Sequence, residues 1–222
     1  MKFATVVFDF DSTLVDIETL EHVIEVALEG RRDSDAILLE IRNITEQGLR
    51  GEIPFNESLS RRMALISPSR KHVKKVANEL TNHITPSVLN NKEFFKMYSE
   101  GIYIVSGGFD ELIFPVSDVL GIKREHVFAN EFIYDSSGEL IGVNNSRPLS
   151  QHLGKVKALR AAQLTRPLAM VGDGYTDYEV KLHGAADVFI AYVEHTHRAS
   201  VVASADHVAK SFNEVVSYLS MK

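Results

Sequence analysis

Four short apolar runs, at 3–10, 102–105, 168–171 and 188–191, are parted by stretches in which apolar residues recur at helical spacing, and this alternation leaves the chain few folds. A run that is apolar at nearly every position suits a strand covered on both faces. Strands alternating with helices join most simply into a parallel sheet with helices on either side. The alternation is interrupted once. From 17 to 84 the pattern is helical throughout: Leu20, Val23, Ile24, Ala27 and Leu28 share one face before a stop at Gly30, and helices are expected at 36–44, 55–66 and 73–80. After Pro86 the periodicity predicts helices at 88–99 and 109–120, the second kinked or shortened by Pro115. A hairpin is expected within 128–143, around Asp135-Ser-Ser-Gly138. The expected architecture is α/β: a doubly wound, mostly parallel sheet built from 1–16 and 85–222, opened after its first strand to admit a helical insertion at 17–84.

Composition narrows the function. The 222 residues suffice for a core of roughly 150 plus an insertion, and 45% hydrophobic against 24% charged residues is the balance of a globular protein. Lys and Arg number 24 against 30 Asp and Glu, a net charge of −6 with no basic block, which argues against nucleic acid as a partner. The absence of cysteine removes thiolate metal sites and a thiol nucleophile. The first apolar run is broken by Asp9 and Asp11, too soon for a signal or membrane segment, so a cytoplasmic protein without a membrane partner is expected. Oligomeric state leaves no trace in the sequence.

Along an extended strand alternate side chains share a face, so Asp9 and Asp11 are expected to point one way and Phe8 and Phe10 the other. Two crowded carboxylates repel, which raises the pKa of at least one and lets one be ionised while the other holds a proton. Alone, Asp-Phe-Asp is better read as a strand running out into a solvated turn. Three further segments change that reading, because open α/β sheets bind ligands at the carboxyl ends of their strands. Ser106-Gly107-Gly108 follows the second run and offers a hydroxyl and glycine-backed N–H groups suited to phosphate. Gly172-Asp173-Gly174-Tyr175-Thr176-Asp177 follows the third run and adds two carboxylates. Lys155 stands at the start of a helix before that run. A phosphate dianion repels an attacking carboxylate, so a metal held by Asp9 and Asp173, together with a cation such as Lys155, would offset the charge. His195-Thr-His197 has no third ligand nearby in sequence and reads as a polar loop.

In this order Asp9-Phe-Asp-Ser-Thr-Leu-Val15, Val105-Ser-Gly-Gly-Phe109, Lys155 and Val171-Gly-Asp-Gly-Tyr-Thr-Asp177 resemble the four motifs of the haloacid dehalogenase superfamily and, within it, of the phosphoserine phosphatases. The resemblance spans almost the whole chain. It implies a haloacid dehalogenase-like fold with a helical cap at 17–84 and a small phosphomonoester as substrate. Asp9 is implied as the nucleophile that forms an aspartyl-phosphate, and Asp11 as the acid and then the base. Mg²⁺ is implied on the Asp9 side chain, the Asp11 carbonyl and Asp173, with Asp177 in support, and the phosphoryl group on Ser106, the Gly107 N–H and Lys155. Glu18, Phe55, Arg62 and Thr176 are implied as substrate contacts, with Glu18 on the ammonium and Arg62 on the carboxylate of phospho-L-serine. The chain departs from the pattern in three places. Leu49 stands where relatives often have methionine, Thr176 where many have asparagine, and no glycine follows Lys155, which leaves Lys157 as a competitor. Three other readings stay open: hydrolysis of another small monoester such as an amino-alcohol or sugar phosphate, transfer to an alcohol such as homoserine, and binding of phosphate or a partner without catalysis.

Overall fold

The computed structural model describes residues 2–66 and 68–220; residues 1 and 221–222 of the expected core and residue 67 of the expected insertion lie outside them. The first apolar run becomes β1 (Thr5–Phe8), buried at all four positions. Four helices follow, α1 (Thr19–Ala27), α2 (Ser34–Leu49), α3 (Phe55–Leu65) and α4 (Arg70–Glu79). Short helices α5 (Pro86–Asn90) and α6 (Lys92–Met97) lead back to β2 (Ile102–Phe109), α7 (Asp110–Leu120) and β3 (Val127–Asn130). The hairpin pairs β4 (Phe132–Tyr134) with β5 (Leu140–Val143). The chain ends with α8 (Gly154–Ala162), β6 (Leu168–Gly172), α9 (Tyr175–Leu182), β7 (Val188–Tyr192), α10 (Ala199–Ala203), β8 (His207–Ala209) and α11 (Phe212–Ser220).

Six strands form one sheet in the order β3-β2-β1-β6-β7-β8, every neighbouring pair parallel. Strand alternation sorts their side chains into two cores. Val6, Phe8, Val171, Ile190 and Tyr192 face α11, α6 and α7, and this cluster continues into α1 and α4. Val7, Met170, Phe189 and Ala191 face α8, α9 and α10 on the other side. Each Val, Ile, Phe or Met among them contributes about 1.5–3 kcal/mol when fully buried, so the central strands are pinned from both faces. The chain fills the β1–β2–β3 side first and then crosses to β6, which makes the carboxyl ends of β1, β2 and β6 the topological switch point of the sheet.

Several elements differ from the sequence expectation. β1 stops at Phe8, so Asp9 and Asp11 sit beyond the strand. The Phe10 carbonyl accepts from the N–H groups of Thr13, Leu14 and Val15, which curls the chain into a turn. Helix α2 runs on to Leu49, because Ile41, Ile44, Thr45 and Gly48 continue one buried face. The helix expected at 88–99 breaks at Asn91, whose side-chain amide donates to the Ser87 carbonyl at 2.8 Å. Pro115 does not interrupt α7, which is continuous from Asp110 to Leu120. The turn at 135–138 is where expected, but the segment assigned to the hairpin also supplies β3 to the main sheet.

The strand-to-helix linkers on either side of α1–α4 lie side by side. Val15 bridges Ile84, the Asp16 N–H donates to the His83 carbonyl (3.0 Å), and the Thr85 N–H donates to Leu14 (2.9 Å). Among the described residues no helix is long and apolar enough to cross a membrane.

Candidate active site

Three strand ends and one helix start converge. The Asp9 Oδ1 accepts from the Phe10 N–H at 2.7 Å and faces Lys155 Nζ at 2.8 Å. Lys155, at the first turn of α8, is 7% exposed and reaches across to Asp177 Oδ1 at 2.6 Å. The other Asp177 oxygen accepts from the Gly174 N–H (3.0 Å), closing the first turn of α9 on itself. Asp173 is held by Thr196 Oγ1 (3.0 Å) and by the buried guanidinium of Arg198, which also donates to the Asp173 carbonyl at 3.3 Å. Arg198 then spans to Glu46 on α2 at 3.2 Å.

Asp11 lies in the turn after β1 with Oδ1 accepting from the Thr19 N–H at 3.0 Å. Burial, and then the charge of Asp9, push its carboxyl up to about 7. Burial likewise raises Asp173 and Asp177, with Asp9 adding to both. On the α1–α4 side, Glu18 accepts from Ser12 Oγ at 2.7 Å, and burial followed by Asp11 and Asp173 holds its carboxyl well above the usual range. Ser12 adopts φ 51°, a left-handed conformation that costs a residue with a side chain on the order of 1 kcal/mol. It is accepted in the turn that joins Asp11 to Glu18. Arg62, 6% exposed on α3, has no carboxylate within 4.0 Å among the described residues; its guanidinium's one hydrogen bond among them is Nε to Ser58 at 3.3 Å.

These groups share a cleft of about 50 Å³, lined by Asp9, Asp11, Glu18, Arg62, Ser106 and Lys155, with Phe55, Gly107 and Thr176 also at its wall. It adjoins a cavity of about 260 Å³ that shares Phe55, Gly107, Lys155 and Thr176. The Phe55 ring lies so close to Gly107 that a Cβ there would meet Phe55 Cζ at 2.4 Å. Nine of the eleven residues expected at the site from the sequence line this cleft, and the other two, Asp173 and Asp177, adjoin it with carboxylate oxygens within 4.8 Å of that of Asp9. Lys157 does neither: it is exposed and bonded to Gln151. Leu49 lines the cleft, and His195 turns to Thr85 at 2.8 Å rather than toward the carboxylates.

The donor set fits a hard divalent cation. Asp9, Asp173 and Asp177 offer oxygens within 4.8 Å of one another, all three buried. Among the described residues the three carboxylates Asp9, Asp173 and Asp177 have two cations within 4.0 Å, Lys155 and Arg198. The Asp11 backbone carbonyl accepts no hydrogen bond among the described residues, while both Asp177 oxygens are engaged. Arg198, Thr196 and Asn130 went unseen in the sequence. They act across the sheet on residues 23 or more positions away, and no local pattern marks them.

The model of the haloacid dehalogenase-like hydrolases matches residues 6–180. A chloroplastic phosphoserine phosphatase of Arabidopsis thaliana is 32% identical over 217 residues, covering 96% of this chain and 71% of that one. A phosphoserine phosphohydrolase-like protein of Francisella tularensis superposes with a TM-score of 0.88 at 36% identity, covering 98% and 99% of the two chains. A structure of a phosphoserine phosphatase carrying a phospho-aspartyl intermediate analogue superposes with a TM-score of 0.73 at 25% identity, covering 96% and 97%.

Proposed function

Because this chain belongs to the haloacid dehalogenase-like hydrolases, we propose that it hydrolyses O-phospho-L-serine to serine and phosphate in a Mg²⁺-dependent reaction through an aspartyl-phosphate. The observation that carries the substrate is the placement of Glu18 and Arg62 in one small cleft with Asp9 and Asp11. Among the described residues the buried Arg62 guanidinium has no carboxylate within 4.0 Å, which suits a ligand carboxylate, and the buried Glu18 carboxyl suits a ligand ammonium.

Asp9 attacks phosphorus, and the bond to the serine oxygen breaks. The leaving alkoxide takes the proton that Asp11 holds, consistent with a carboxyl raised to about 7 by burial and by Asp9. Asp11, now ionised, removes a proton from the water that attacks phosphorus in the aspartyl-phosphate; the bond from phosphorus to the Asp9 oxygen breaks, and phosphate leaves. Lys155, the Ser106 hydroxyl and the Gly107 N–H bind the transferring phosphoryl oxygens, while Thr176 and Phe55 close the wall around the substrate. The Asp9 side chain, the Asp11 carbonyl and Asp173 would hold Mg²⁺, with Asp177 bracing Lys155 and the Gly174 turn. Bound there, the cation supplies charge neutralisation at the phosphoryl group and the nucleophile. Helices α1–α4 serve as the cap that brings Glu18, Phe55 and Arg62 over the core.

Phosphate release from a panel of small monoesters with Mg²⁺, with and without an added alcohol acceptor, tests the assignment. Phospho-L-serine is expected to rank among the best by kcat/KM. A clearly better sugar or amino-alcohol phosphate, or a phosphorylated acceptor as main product, overturns it. Asp9→Asn is expected to lower kcat by more than about 10³ while leaving the melting transition intact.

A further inference from the structure

We infer that Asn130, the last residue of β3, is a positioning residue for the phosphoryl group: it fixes the Gly107–Gly108 peptide and thereby aims the Ser106 hydroxyl. This rests on the proposed role of Ser106 in holding phosphate. In the β2–β3 ladder, β2 takes four steps from Val105 to Phe109 while β3 takes two from Phe128 to Asn130. Ser106–Gly108 therefore bulges away from its partner strand. Asn130 meets the bulge with its side chain. Its Nδ2 donates to the Gly107 carbonyl at 2.8 Å, and because a carbonyl only accepts, that contact decides which end of the amide faces the bulge. At the other end of the same peptide the Gly108 N–H donates to Ser106 Oγ at 2.9 Å. Tying the peptide at both ends fixes its plane. A hydroxyl oxygen that accepts from Gly108 keeps its own proton to donate elsewhere, and Ser106 lines the cleft.

The cost of this arrangement points to function. Asn130 is wholly buried, and its Oδ1 has no hydrogen-bond partner among the described residues. A buried amide with half of its polar atoms unmet destabilises a fold relative to an apolar side chain of the same shape. Packing alone gives no reason for an amide here; an amide donor aimed at Gly107 does.

The test compares wild type, Asn130→Ala, Asn130→Leu, Ser106→Ala and the Ser106→Ala/Asn130→Ala double variant for kcat and KM with phospho-L-serine. It also measures competitive inhibition by inorganic phosphate and the melting temperature. Asn130→Ala is expected to lower kcat/KM about tenfold and weaken phosphate inhibition, and to change either by less than about twofold once Ser106 is already alanine. Asn130→Leu keeps the branching without the donor; it is expected to match Asn130→Ala kinetically while melting at or above wild type. An Asn130 effect that persists in the Ser106→Ala background overturns this inference alone. Ser106→Ala with unchanged kinetics and phosphate inhibition overturns the phosphate-binding reading of Ser106 and this inference with it. Failure of both Asn130 variants to fold makes Asn130 a folding determinant and also overturns it.

Discussion

Lys155 and Asp11 show how burial acts oppositely on neighbouring charges. For Lys155, burial pulls the ammonium down, but Asp177 and Asp9 more than offset this and hold it above the usual lysine value. It therefore stays charged at neutral pH. Lys155→Met keeps the stem and removes the charge, and kcat/KM is expected to fall about 10²–10³-fold, as for other single donors to a developing anion. Lys157→Met is expected to stay within about twofold, because that side chain is exposed. Parallel steady-state kinetics of the two variants decides between them. For Asp11, the folded carboxyl lies at about 7 against an ordinary 3.8. Such a group stabilises the fold fully while protonated, below pH ~4, and that contribution is lost as pH rises through ~7. A divalent cation among these carboxylates favours their ionised forms. Saturating Mg²⁺ is thus expected to raise the melting temperature more at pH 8 than at pH 5.5, and equal shifts by calorimetry would contradict binding at this cluster.

At the scale of elements, α8 is seated against backbone. A Cβ on Gly154 would meet Leu149 Cα and the Pro148 carbonyl, both at 2.7 Å, and neither can swing aside. Gly154→Ala is expected to cost about 1–3 kcal/mol of stability, to lower the melting temperature by several degrees for a chain of this size, and to displace Lys155 with it. The three atoms nearest a Cβ on Gly107 all belong to the Phe55 ring, a side chain that can shift, so Gly107→Ala is expected to raise KM with a smaller loss of stability; thermal melts beside kinetics separate the two. The same elements show what the sequence carries. β1, β2, β6 and β7 were readable because both faces are buried and their runs are continuously apolar. β3 was hidden because its four residues directly precede the hairpin, and β8 because three residues hold no period. The strand-end motifs were readable because their chemistry is contiguous. Arg198 and Asn130 were not, because each acts through long-range contacts, Arg198 on Asp173 and Glu46 and Asn130 on Gly107.

Taken whole, the molecule encloses its cleft with contacts between α1–α4 and the sheet side. Arg198 reaches Glu46, the Tyr175 ring packs against Gly51, where a Cβ would meet Tyr175 Cδ1 at 2.5 Å, and Phe55 abuts Gly107. Partly exposed ion pairs of this kind are each worth about 0–1 kcal/mol, so Glu46→Gln is expected to raise KM about two- to fivefold with little change in melting temperature. An unchanged KM would show that this pair does not help to hold the cleft closed. The paired linkers, Val15 against Ile84 and Leu14 against Thr85, have a different consequence. The chain leaves the sheet and re-enters it through a single doorway about one strand spacing wide, near 5 Å. Whatever is spliced between Asp16 and Thr85 need only begin and end at that width. The segment is in this sense a cassette: another helical unit could be grafted there to alter which alcohol is released, with the strand-end chemistry inherited unchanged.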